Sequence, residues 1–117
     1  MLNDVRLSKN FKLYEFDCKG GSKLVKLDPV LLVKLQTLRT RLGRPVNINS
    51  GYRTPEHNKN IGGSPRSQHM EGKACDIYVE GLTPATVARE CEKIGFGGIG
   101  VYSNHVHVDT RDGRARW

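Results

Sequence analysis

The sequence is short of cysteine, histidine and acid, and it contains no long apolar run. Its 117 residues carry three cysteines, Cys18, Cys75 and Cys91. An odd and sparse set is not a disulfide framework, and without a CxxC pair there is no thiolate zinc site. This usage fits a reducing compartment. Cys75 and Cys91 fall on apolar faces, where a thiol acts as a small core residue. No stretch approaches the ~20 apolar residues of a membrane span. The opening MLNDVRLSKN lacks the apolar segment of a leader peptide, so a cytoplasmic location at synthesis is expected.

Acid is outnumbered, with 12 Asp and Glu against 19 Lys and Arg, for a formal charge of +7. Such an excess calls for anionic surroundings, and nucleic acid or a carboxylate- and phosphate-rich polymer would satisfy it. Apart from the closing RDGRAR, the basic residues are scattered, which argues against a nucleic-acid face. Hydrophobic residues at 37% and charged residues at 26% describe an ordinary folding chain. There is no internal repeat or linker-like break, so residues 1–117 read as one domain, with about 1–10 as a loosely held arm.

Local patterns outline the elements. FKLYEF after Asn10 reads as a short helix. Asp28 and Pro29 suit the N-cap and first position of a longer one, with Leu31, Leu35, Leu38 and Leu42 at helical spacing and Gly43 as the stop. Residues 45–49 read as a strand, Pro55 opens a brief helix, and Ser64 to Gln68 read as loop. From Lys73 to Val79 the chain alternates, with Ala74, Asp76 and Tyr78 on one face and Cys75, Ile77 and Val79 on the other. Thr83 and Pro84 start a helix striped by Val87, Ala88, Cys91 and Ile94 and closed by Gly95. Residues 98–102 and 105–109 form two strands around a turn at Ser103 and Asn104. Together they predict an α+β domain, a small antiparallel sheet with helices packed on one face.

The chemistry concentrates in few residues. Of four histidines, His105 and His107 lie two apart on the last strand, on the same face as Asp109. Burying that face unpaired is costly, so it is either open to solvent or set against a cation. Zinc takes His nitrogen and carboxylate oxygen readily, with water in an open position. His107 and Asp76 sit on strand faces that can share a cleft. His69 precedes the Asp76 strand, and Gly72 permits the tight turn between them. Spacing of this kind also occurs among ordinary surface residues.

Three blocks add a resemblance: SGYRTPEHN at 50–58, SQHMEGKACD at 67–76, and GIGVY at 98–102 followed by HVHVD at 105–109. In that order and spacing the sequence resembles the zinc D-alanyl-D-alanine carboxypeptidase family, relatives of lysostaphin-type peptidases and the hedgehog domain. The resemblance implies a hedgehog/DD-peptidase-like fold and Zn²⁺ held by His69, Asp76 and His107. It implies Arg53 on the substrate carbonyl or carboxylate, and Ser67 near the substrate's end. Tyr52 is a candidate for the substrate wall, although it also suits the core edge. Where many members carry a carboxylate as general base, three residues before the last ligand, this chain has Asn104. That leaves His105, Asp109 and Glu71 as candidates; Asp109 can instead orient an imidazole. The implied activity is zinc-dependent hydrolysis of bacterial peptidoglycan stem peptides, as D,D-carboxypeptidase or endopeptidase, lysin-like, by a monomer that reaches the wall after release and needs no nucleic acid or membrane. The alternative is a zinc-binding recognition module without turnover.

Overall fold

A computed structural model describes residues 2–117. Strands β1 (Arg6–Ser8) and β2 (Phe11–Lys12) open the chain, followed by a 3-10 turn at Leu13–Phe16. Helix α1 (Pro29–Leu42), strand β3 (Asn47–Ser50) and helix α2 (Pro55–Asn60) come next, then a second 3-10 turn at Gln68–Glu71. Strand β4 (Ala74–Tyr78), helix α3 (Pro84–Ile94) and strands β5 (Gly98–Val101), β6 (Val106–Asp109) and β7 (Ala115–Arg116) complete it. The main sheet has the order β3-β4-β6-β5-β7. It is antiparallel except at its edge, where β7 runs parallel to β5.

The alternation read in the sequence decides how this sheet is used. Cys75 and Ile77 of β4, Val106 and Val108 of β6 and Ile99 of β5 face one side. There they meet Leu31, Leu35 and Leu38 of α1 and Val87, Ala88 and Cys91 of α3. Each of these residues is at least nine-tenths buried. Burial pushes the Cys91 thiol up to about 12 and the Cys75 thiol higher still, so both are inert core groups. Asp76, His107 and Asp109 are left on the opposite face.

The first residues depart from the expected loose arm. β1 pairs with β2, and Ser8 Oγ donates to Gln36 Oε1 of α1 at 2.6 Å. Phe11, expected to begin a helix, lies in β2 and is 1% exposed. The helical turn starts only at Leu13, where Glu15 Oε2 accepts the Lys12 backbone N–H at 2.7 Å. Strand β7 was not foreseen in the basic RDGRAR stretch, because two residues show no period. No helix of the described residues is long and apolar enough to cross a membrane.

Asp28 joins the helical layer to the functional face. Its Oδ1 accepts from the Val30 N–H at 3.3 Å as the N-cap of α1. Its Oδ2 accepts from Thr110 Oγ1 at 2.7 Å, just beyond β6. Its own N–H donates to the Gly72 carbonyl at 2.9 Å, just before β4. Asp28→Ala is therefore expected to cost about 1–2 kcal/mol in urea unfolding. An unchanged midpoint would remove this joint from the account.

Candidate metal centre

Antiparallel register sets Asp76 of β4 directly opposite His107 of β6. Cross-strand partners on one face stand close enough for their side chains to meet. His107 Nδ1 lies 3.3 Å from Asp76 Oδ1. The third group comes from outside the sheet. Ser67 Oγ accepts the His69 N–H at 3.1 Å and so caps the 3-10 turn that carries His69. Gly72 ends this turn at φ +70, and a Cβ there would strike the Lys26 backbone, so the position requires glycine. His69 Nε2 then sits 3.3 Å from the same Asp76 Oδ1.

The other atom of each group is already engaged. His69 Nδ1 is 2.8 Å from the Gly51 carbonyl, which can only accept. The imidazole therefore donates from Nδ1 and keeps a lone pair on Nε2. His107 Nε2 is 2.7 Å from Asp109 Oδ2, which leaves its Nδ1 lone pair toward Asp76. Asp76 Oδ2 accepts from Arg53 Nη2 at 3.1 Å, leaving Oδ1. One donor atom from each of the three residues lies within 4.8 Å of the other two. Tetrahedral zinc with bonds of about 2.0–2.1 Å sets its ligand atoms roughly 3.3 Å apart. Both contacts to Asp76 Oδ1 match this spacing, and two imidazoles with one carboxylate are a zinc donor set.

Electrostatics favour a cation here. Burial resists ionisation of Asp76, but the neighbouring His107 and His69 rings outweigh it and hold the carboxyl well below the usual range. For His107, burial disfavours the charged ring, yet Asp109 and Asp76 raise its pKa. A pocket that draws a proton this way offers the same charge to a metal.

Asp109, one of the three residues expected to serve as base, has a different place. Its side chain is 0% exposed. Besides His107, it accepts from Arg111 Nε at 2.9 Å and Nη2 at 2.7 Å, and from the Arg111 backbone N–H at 3.1 Å. A carboxylate buried behind the ligand has no approach to a substrate water; it holds the His107 ring. Glu71 is exposed in the 3-10 turn and does not line the cleft. His105 does line it, half-buried, with Nδ1 2.8 Å from Asn104 Oδ1 and its ring stacked on Tyr102 at 4.5 Å.

The cleft encloses about 620 Å³. Arg53, Ser67 and His105 line it together with the three donor residues. Tyr52, expected on the substrate wall, is turned away: it is 8% exposed, outside the cleft lining, with the Lys26 ammonium over its ring. Arg53 spends three N–H groups within the protein, on Asp76, Ser50 Oγ at 3.2 Å and Asn58 Oδ1 at 3.3 Å. Sequence reasoning missed Arg111, Tyr102 and Trp117. The Trp117 ring lies 5.0 Å from that of His107, and its Nε1 donates to Tyr102 Oη at 2.8 Å. This arrangement needs Gly100, since a Cβ there would strike the indole. The one available signal was a glycine alternating with core residues in GIGVY.

Residues 9–109 match the model of the Peptidase M15 family. The chain belongs to this family. Among curated relatives of this M15 peptidase, the peptidoglycan L,D-endopeptidase MepK of Escherichia coli is 29% identical, over 97% of this chain and 76% of that protein. The probable MepK of Haemophilus influenzae is 32% identical over 79% and 55%, respectively. The zinc D-Ala-D-Ala carboxypeptidase of Streptomyces albus G is 33% identical over 73% and 36%.

His69→Ala, Asp76→Ala and His107→Ala are each expected to abolish stoichiometric zinc, read by metal analysis of purified protein. Asp109→Ala is expected to weaken zinc about 10- to 100-fold in chelator competition, through loss of His107 orientation. Parental zinc affinity in Asp109→Ala would contradict the support role.

Proposed function

We propose that this M15 peptidase hydrolyses peptide bonds in peptidoglycan stem peptides with zinc as its cofactor, and that it cuts an internal bond. The observation that carries the reading is the convergence of His69 Nε2, Asp76 Oδ1 and His107 Nδ1 in an open, donor-lined cleft. The internal bond is favoured by the endopeptidase name of relatives that match 97% of the chain. The carboxypeptidase relative supports the terminal bond as the other choice.

Bound zinc supplies a Lewis acid that polarises a carbonyl and brings the pKa of a coordinated water to about 7. The chain's own groups do the rest. A guanidinium has five N–H donors. Three are engaged inside the protein, so Arg53 retains two for the oxygen of the scissile carbonyl as it gains charge. Ser67 stands in the same cleft beside the substrate's path. His105 is the proton acceptor in this reading. Donation from Nδ1–H to Asn104 fixes its tautomer and leaves Nε2 as the basic nitrogen. Asn104 thus orients a base in place of acting as one. Such a substrate lies outside the cytoplasm, so the proposal requires the protein to work at the wall after release, and we propose that it acts there as a monomer.

A second reading, a zinc-bearing recognition module without turnover, rests on Asn104 in place of the carboxylate. Digestion of purified sacculi with mass identification of the products separates the two. The expected result is cleavage that chelator abolishes and zinc restores. One equivalent of zinc with no muropeptide cut would favour the module. His105→Ala is expected to keep its zinc and lose about 10²–10⁴ in rate. Unchanged turnover in that variant eliminates His105 as the base.

A further inference from the structure

Three arginines line the cleft, and two of them are matched by carboxylates. Arg53 pairs with Asp76, and Arg111 pairs with Asp109. Arg66 is exposed and makes no ion pair among the described residues. Among the described residues, Asp76 is the only acidic one lining the cleft, and it is committed to the imidazoles and Arg53. The cleft therefore carries an unbalanced positive charge at one rim, to which a bound zinc adds.

The backbone beneath Arg66 is held in place. Asn58 is 3% exposed, and its Nδ2 donates to the Ser64 carbonyl at 2.8 Å while its own carbonyl accepts the Gly63 N–H at 2.8 Å. Gly63 has no room for a Cβ, which would strike Asn58 Oδ1. The Ser67 N–H closes the turn onto the Ser64 carbonyl at 3.1 Å, and Ser67 Oγ caps the turn that bears His69. Asn58 Oδ1 also accepts from Arg53. One buried amide thus ties the Arg66 loop to the arginine that holds a metal ligand. An arginine on a fixed base, with its guanidinium unengaged, is organised for bidentate capture of a carboxylate. The same cleft is lined by Tyr102 and Trp117, 44% and 48% exposed, aromatic surface suited to the aliphatic part of the same residue.

We propose that Arg66 binds a free carboxylate beside the scissile bond, so that the enzyme prefers carboxylated over amidated wall peptides. This rests on the peptidase reading above. Carboxylate at the peptide terminus and carboxylate on an internal residue share the chemistry, and the test separates them.

The experiment compares kcat/KM for four D-Ala-terminated stem peptides: unmodified, amidated at the terminus, amidated at the internal carboxylate, and doubly amidated. The expected result is a loss of about tenfold or more on amidation of one position, the size of a charge-assisted hydrogen bond. In Arg66→Gln that preference shrinks several-fold, and in Arg66→Glu it reverses. Equal rates for all four peptides, or a preference unchanged in Arg66→Gln, overturns the proposal. If no peptide is cut, the peptidase reading fails on its own account. Calorimetric binding of the same peptides to the zinc-loaded protein then decides the carboxylate preference, and equal Kd values overturn it.

Discussion

One cross-strand pair organises the functional face: Asp76 on β4 facing His107 on β6. The rest of the centre is built around it. Asp76 Oδ1 is shared between the two imidazoles, and Arg53 holds Oδ2. Asp109 grips the far nitrogen of His107, and Arg111 grips Asp109. The pair itself is enforced from the opposite side of the sheet. Sliding β6 by one residue would turn Val106 and Val108 out of the core and drive His107 and Asp109 into it. Stability and the metal centre thus share one constraint, the register of two strands.

Polar groups in this region alternate from Arg111 to Asp109, His107, Asp76 and Arg53, and the neutral amide of Asn58 closes the series. Each buried charge has a partner of opposite sign, and no buried polar side-chain atom of the described residues lacks a hydrogen bond. A cation bound among the three donors would meet the atoms that this network leaves free, with its outer links in place. The chain ends on the cleft side at groups without acidic partners, Arg66 above all, and these are the groups able to meet a substrate.

Much of the fold was legible from local rules. Asp28, Thr83 and the prolines after them marked the starts of α1 and α3, and αL glycines at 43 and 95 marked their ends. The period-two alternation of β4 and β6 separated core from site before any contact was known. The hairpin β1–β2 and the edge strand β7 were not legible. Both are too short to show a period, and they form because neighbouring chain covers Phe11 on one side and offers a free β5 edge on the other.

The sequence by itself determined the ligand types, their faces and the family, because alternation and local blocks are properties of adjacent residues. Tertiary structure alone decided what each remaining group does. Asp109 became a buried anchor and not a base because Arg111 folds back on it. Tyr52 left the cleft because its backbone is tied to Phe16 and its ring lies under Lys26, and Trp117 entered it because β7 docks on β5 beside Gly100. Arg66 stands without an ion pair among the described residues because Asp76, the acid that lines its cleft, is held by Arg53 and the two imidazoles. Such assignments depend on which distant groups compete for the same atoms, and that competition exists only once the chain has closed on itself.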